Sequence, residues 1–419
     1  MRTALWVLST GTELAQGHSR DTNAPEIAAK MADFGFDVAG FSTLPDDPKL
    51  ILNHFQWLLN QPNIHGFIMT GGLGPTDDDY TIDVLAEWIH SDIFEDSQAL
   101  ERLKAVRLRR RLLDIETARR QVRVLKKAEV IENQTGLAPG VFGRYPDSNF
   151  WFVALPGVPT EMRPMSEIAL QKLQKQYNTN KVNRFDAYIY EEPESEFQRV
   201  AFNKQNSLVP ISIQSDSQFR WGVSAKPNVL KVFFEHETDR SMLKTIESAL
   251  ETYYQSRFLL QPIEELLHNL LIEQNLTLSL AESCTGGLIA KLITDIAGSS
   301  AYFLGSAVTY SNQTKNRLLN VSNEILEEYG AVSEQCALAM AAGARLLFGS
   351  NVAVSVTGIA GPTGGSDQKP VGTVFVAIDD GKSQKVFRLF YPFDREKVRD
   401  STARTVLFRL FRFLTANQS

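Results

Sequence analysis

Residues 276–298 read LTLSLAESCTGGLIAKLITDIAG, and their order decides how this part of the chain folds. Leu276, Leu278 and Leu280 alternate with polar residues, the period of a strand. From Leu288 the period changes, with Leu288, Ile289, Leu292, Ile293 and Ile296 falling on one helical face. A strand that passes through two glycines straight into a helix is one step of an alternating β–α chain. Such a turn sits at the carboxyl edge of a sheet, where open α/β folds bind ligands. The N–H groups of Thr285, Gly286 and Gly287 are candidates to hold an anion or a developing oxyanion. The same turn also reads as a plain N-cap by Ser283 or Thr285.

Working outward, the pattern recurs at both ends of the chain. The amino-terminal part alternates strands (ALWVLS, FDVAGFSTL, HGFIMT) with helices (TNAPEIAAKMADFG, PKLILNHFQWLLNQ, DYTIDVLAEWIH). Asn23 is expected to cap the first of these helices, with Gly35 at its exit. SNFWFVALPGVPTEM adds a later strand. Between 169 and 260 the order breaks into a mixture of strand and helix pieces with no chemical motif, which suits a spacer or dimerisation module. The expected fold is α/β: two three-layer α/β domains with mostly parallel sheets, joined by a small α+β module. The domains are placed at 1–168, 169–260 and 261–419.

Composition narrows the class. With 43% hydrophobic and 22% charged residues, each domain has enough apolar material for a core. A net charge of −6 gives no support for a protein that coats nucleic acid. No run approaches the roughly 18 apolar residues of a membrane span. Two cysteines, Cys284 and Cys336, imply no disulfide framework and fit a reducing cytoplasm. The arginine-rich segment 103–130, with Arg107, Arg109, Arg110, Arg111, Arg119, Arg120 and Arg123, has three readings. It is a nucleic-acid groove, a solvated face near an anionic substrate, or a set of neighbours for the aspartates 77–79. Interspersed acids and the absence of interleaved aromatics weigh against the first. A homodimer is the expected assembly by base rate.

Two constellations carry chemistry. Around Ser283, SAVTYSNQTKNRLL puts Tyr310 at a strand end and Lys315 in a helix's first turn, where the dipole disfavours a cation. VTGIAGPTGGSDQKPVGTV is a glycine-rich loop whose backbone, through Thr357, Gly358, Gly361 and Gly364, suits a phosphate, with Lys369 nearby. A serine without a histidine needs another base, and a desolvated lysine serves. Each feature also has a bland account: a solvated lysine, a satisfied tyrosine, a flexible turn. In the first domain, MTGGLGPTDDDYT sets Asp77, Asp78 and Asp79 between a glycine turn and a helix start. Three adjacent carboxylates either complement the helix dipole or attract a divalent cation. STGTELAQG with Glu13 and LPGVPTEM with Glu161 follow strands of the same sheet, so their acids are expected at the same edge.

AESCTGG, VTYSNQTK, GAVS and the glycine-rich loop resemble the nicotinamide-nucleotide amidase (PncC) family, and the whole chain is similar to the longer CinA (competence/damage-inducible) proteins. The resemblance implies deamidation of nicotinamide mononucleotide (NMN) to nicotinate mononucleotide and ammonia, with no cofactor. It implies Ser283 as nucleophile, Lys315 as general base and Tyr310 as an assisting phenol. Thr357 matches a loop position, and Arg395 a phosphate-binding one, with Arg399 close by. Cys284 is the rival nucleophile, but a lysine and a tyrosine suit a serine. GTEL, TNA, TGGLGPTDDDYT, TGLAPG and LPGVPTEM resemble the molybdopterin-binding-like domain of the same proteins. That likeness implies hydrolysis of ADP-ribose to AMP and ribose 5-phosphate. The implied assistants are a divalent metal (Co2+, Mg2+ or Mn2+), held by Asp78 and Asp79 with Glu13 and Glu161, and K+. Two departures stand out: GTELAQGHSRDTN replaces the family's leucine run, and YEEPESEF lacks its usual glycine before ES. The competing reading is a nucleotide-binding or sensing scaffold whose first domain is inactive.

Overall fold

The computed structural model describes residues 2–109, 116–203 and 207–416, which leaves Arg110 and Arg111 of the basic segment outside the described residues. The chain divides into two compact units, one ending at Val182 and one beginning at Asn183.

In the first unit, β1 (Ala4–Thr10), β2 (Asp37–Leu44) and β3 (Gly66–Thr70) are followed by a small antiparallel pair, β4 (Ile93–Glu95) and β5 (Arg123–Leu125). Next come β6 (Ala128–Ile131), β7 (Gly140–Arg144) and β8 (Trp151–Leu155). The main sheet runs β2-β1-β3-β8-β7-β6, parallel through β8 and antiparallel for β7 and β6. Period-two alternation sorts its side chains. Leu8, Phe67, Met69 and Phe152 face the helices Pro48–Leu59 and Thr81–Ile89, whereas Val7, Ile68 and Val153 face Asn23–Asp33 and Pro159–Tyr177. Because β1, β3 and β8 are parallel, the loops after Thr10, Thr70 and Leu155 share one edge. The helix Pro159–Tyr177 runs through the expected boundary at 168, since Met165, Ala169, Leu170 and Leu173 are buried against the first sheet.

The second unit opens with an antiparallel sheet in the order β10-β11-β9-β12, built from β9 (Asn183–Tyr190), β10 (Phe219–Lys226), β11 (Val229–His236) and β12 (Phe258–Leu259). This is the α+β module, and it has its own core. It is nonetheless part of the same compact unit as the residues that follow. Tyr190 stacks on Phe408 with ring centroids 4.6 Å apart, and its hydroxyl accepts from the Ile263 N–H at 3.2 Å.

The third sheet contains β13 (Leu278–Glu282), β14 (Phe303–Val308), β15 (Val352–Gly358), β16 (Thr373–Asp379) and β17 (Gln384–Phe390), in the order β14-β13-β15-β16-β17. Only the β14–β13 and β13–β15 pairings are parallel; β15–β16 and β16–β17 are antiparallel. The connections 359–372 and 380–383 contain no helix to carry the chain back across the sheet, so they close hairpins instead. The helices Ile263–Glu273 and Arg395–Ala416 cover one face, and Glu334–Phe348 the other. Among the described residues no helix is long and apolar enough to cross a membrane.

Candidate active sites

Ser283 follows β13, and its N–H is held by Val356 O at 3.0 Å. Lys315 lies in the helix Asn312–Leu319, started by a capping box between Ser311 and Thr314. That helix aims the lysine inward, where it is 1% exposed. Its Nζ reaches Ser283 Oγ at 3.1 Å and donates to Thr309 O at 2.8 Å. Among the described residues no carboxylate forms an ion pair with it, and burial pulls its pKa below the ordinary lysine value. A neutral amine fits both contacts: an N–H faces the carbonyl, which can only accept, and the lone pair faces the hydroxyl.

Cys284 is buried, and burial pushes its thiol up to about 12, so it stays protonated at neutral pH. Cys336 is likewise a free, buried thiol.

The anion-holding turn differs from expectation. Glu282, fully buried, accepts from the N–H groups of Gly287 (2.9 Å), Ile289 (3.2 Å) and Ala290 (2.9 Å) and from Ser306 Oγ (3.3 Å). Gly286 N–H is taken by Ser283 O at 3.1 Å. Gly286 and Gly287 therefore offer no free donor; their positive φ of 61° and 91° shapes the turn instead. The Thr285 N–H keeps no acceptor among the described residues, and the Cys284 N–H meets only its own sulfur. The Thr285 hydroxyl is buried and also unpartnered. Neither Ser283 nor Thr285 caps the helix Leu288–Thr294; Glu282 does so.

Tyr310 is 63% exposed and makes no hydrogen bond to Ser283 or Lys315; its hydroxyl accepts from Arg395 Nη2 at 2.7 Å. Arg395 Nη1 donates to Gly361 O (2.8 Å), tying Tyr310 to the glycine-rich loop. Arg399 donates to Thr285 O through Nη2 (2.8 Å) and Nε (3.3 Å). Neither arginine is in an ion pair among the described residues, so one guanidinium charge stays uncompensated at the Thr285 carbonyl and one at the Tyr310 hydroxyl and glycine-rich loop. Thr357 at the end of β15 donates to Ala331 O (2.6 Å) and Lys369 to Tyr329 O (2.8 Å), which pins the loop holding Gly358, Gly361 and Gly364 against the 329–331 segment.

In the first unit Glu13, Asp78, Asp79 and Glu161 line one cavity of about 460 Å³ at the shared sheet edge. Its lining carries six acidic side chains (Glu13, Asp21, Asp46, Asp78, Asp79, Glu161) and one basic, Arg20. Asp79 Oδ2 accepts from the N–H (2.7 Å) and hydroxyl (2.6 Å) of Thr76. Glu161 accepts from Asn133 Nδ2 at 2.6 Å. Asn133 is fully buried, and its Oδ1 accepts from the N–H groups of Thr135 and Gly136, shaping the TGLAPG turn. Among the described residues no three carboxylates converge on one point as a ready-made metal cage. The donor set fits a hard, hydrated cation of the Mg2+ type, which takes one or two carboxylates and completes its shell with water and substrate phosphate.

The expected cap at Asn23 is replaced. Asn23 is the first helical residue, its Nδ2 donates to Gly157 O (2.7 Å), and Asp21 accepts from the N–H groups of Asn23 and Ala24. In the basic segment Arg119 pairs with Glu95, while Arg120 and Arg123 pair with Asp83, and Arg120 Nε also donates to Asp79 O. Their carboxylate partners include Glu95 and Asp83, and among the described residues the aspartate run is met only through the Asp79 carbonyl.

The fold and sites thus define a two-unit α/β protein with a serine–lysine centre in one unit and an acidic cavity in the other. Comparison with known proteins agrees on its lineage. Residues 6–175 match the family described as "Probable molybdopterin binding domain", and residues 260–414 the "CinA C-terminal domain". A CinA-like protein of Leptospira interrogans is 37% identical over 413 residues, 97% of each chain, and one from Leptospira biflexa 38% over 416 residues. The chain belongs to the CinA-like protein family. Among solved structures, a competence/damage inducible protein, CihA, from Agrobacterium tumefaciens is 43% identical, covering 37% of this chain and 96% of that one, with a TM-score of 0.35.

Proposed function

We propose that the second unit hydrolyses the carboxamide of NMN, giving nicotinate mononucleotide and ammonia. The observation that carries this reading is the buried Lys315 Nζ, 3.1 Å from Ser283 Oγ and without a carboxylate partner. Lys315, neutral, takes the hydroxyl proton as Ser283 Oγ bonds to the amide carbon. The N–H groups of Cys284 and Thr285 hold the oxyanion. Lys315 returns the proton to the amide nitrogen, the C–N bond breaks and ammonia leaves. A water, giving its proton to Lys315, then cleaves the ester and restores Ser283. Arg395 and Arg399 supply charge for the 5′-phosphate, with Tyr310 orienting Arg395. Ammonia release from NMN by the purified chain tests the reading; its absence at any pH between neutral and alkaline refutes it.

The first unit supports a second activity, hydrolysis of ADP-ribose to AMP and ribose 5-phosphate. Six acids against one arginine repel a pyrophosphate, so cations must accompany it into the cavity. Asp78 and Asp79, with Glu13 and Glu161, would hold a divalent ion, which when bound supplies charge neutralisation and an acidified water. Asn133 orients Glu161, and the Thr76 N–H fixes Asp79. AMP formation from ADP-ribose with and without divalent metal separates this from a binding or sensing role: no AMP under any metal leaves binding alone.

A further inference from the structure

We infer that the second unit carries a separate binding site for a phosphate-type anion, in a cleft where the α+β module meets the last strand and helix. The cleft encloses about 460 Å³ between residues 253–257, β17 and the helix Arg395–Ala416. Its lining holds four cations, Arg257, Lys385, Arg409 and Arg412, and one carboxylate, Glu191. Counting Glu192, which pairs with Arg257, four positive against two negative leaves +2 in a chain whose net charge is −6. Such a concentration of one sign in a concave wall focuses the field on anions.

The charges are only partly spent. Arg409 pairs with Glu191, and Arg257 Nη1 donates to Glu192 Oε2 at 2.9 Å. Lys385 and Arg412 enter no ion pair among the described residues. Arg409 itself is about one-third exposed, so its guanidinium still faces solvent beside Glu191. The aromatic rings hold the cations in place. Phe387 lies under both Arg409 (5.1 Å) and Lys385 (5.5 Å), and Tyr254 under Arg257 (5.4 Å). With their faces covered, these rings support the guanidinium and ammonium groups and leave the anion as the recognised chemistry. An anion here touches module and last helix together, and so couples their packing.

Pyrophosphate titrated calorimetrically into the full chain at low ionic strength is the test, because it carries phosphate oxygens without a base. The parent is expected to show a saturable component that Lys385→Glu with Arg412→Glu weakens at least about tenfold, each change replacing a charge-assisted contact by repulsion. Arg412→Gln alone, the milder variant, is expected to weaken it by a smaller factor, with denaturation curves checking that both variants fold. Arg395→Ala, which alters the centre at Ser283, is expected to retain the component. Retention in the double variant, loss only in Arg395→Ala, or no component in the parent each overturns the site. ADP as a second titrant, read as the component that the double variant loses, decides the source. Tighter binding than pyrophosphate supports a nucleotide, and equal or weaker binding supports inorganic phosphate.

Discussion

Burial of a single amine governs the chemistry proposed for the second unit. Lys315 can act as a base because its surroundings disfavour the ammonium form, and the same cause predicts two pH effects. On the acid side, kcat/KM for NMN falls as Lys315 in the free enzyme takes up a proton. In stability, folding lowers the pKa below the ordinary 10.5, so the unfolded chain binds more protons between the two values. The native state is therefore penalised at pH below that window, and stability rises with pH through it, by at most about 1.4 kcal/mol per unit. Lys315→Met removes this slope, as denaturant titrations from neutral to alkaline pH will register. The neighbouring hydroxyl and thiol separate just as simply. Ser283→Ala lowers ammonia release at least roughly a thousandfold. Cys284→Ala, which deletes a protonated, buried thiol, keeps most of the rate; the reverse result moves the nucleophile to Cys284.

At the scale of elements, both sites depend on how a turn is held. The helix after β13 starts on the Glu282 carboxylate, so the residue before Ser283 fixes the turn that carries it. Glu282→Gln puts an amide N–H against backbone N–H donors, and we expect a loss of about 1–3 kcal/mol in unfolding free energy together with a fall in kcat. A drop in stability with unchanged kcat would show the cap to be structural only. In the first unit, a Cβ at Gly136 would sit 2.1 Å from the Glu161 carboxyl carbon. Gly136 is outside the positive-φ glycines, so Gly136→Ala strains no backbone and acts by pushing that flexible side chain aside. Melting is expected to change little while AMP formation falls; unchanged AMP formation would remove Glu161 from the site.

For the whole molecule, the division at Val182 and Asn183 sets what can be separated. The serine–lysine centre and the α+β module belong to one compact unit, the acidic cavity to the other. A fragment beginning at Asn183 is expected to fold and release ammonia, and a chelator to leave that release intact. In the full chain the same chelator is expected to abolish AMP formation. Ammonia release lost on chelation would count against a metal-independent amidase.

The order of strands and helices, the serine turn, the lysine and the acidic loops were legible in the sequence, because hydrophobic period and glycine placement are local properties. Asn23 shows the limit: by residue type it is a good cap, yet a carbonyl from residue 157 takes its amide and Asp21 caps instead. Nothing local in the sequence marks Glu282 as a cap, because only the pairing of β13 between β14 and β15 buries its carboxylate over the helix start. The antiparallel turn of β16 and β17, the continuation of the first unit beyond 168, and the pairing of Tyr310 with Arg395 rather than Ser283 all depend on residues far apart in the chain. Local spacing decides which elements form; which donor meets which acceptor is decided by burial and close approach, which exist only once the sheets have assembled.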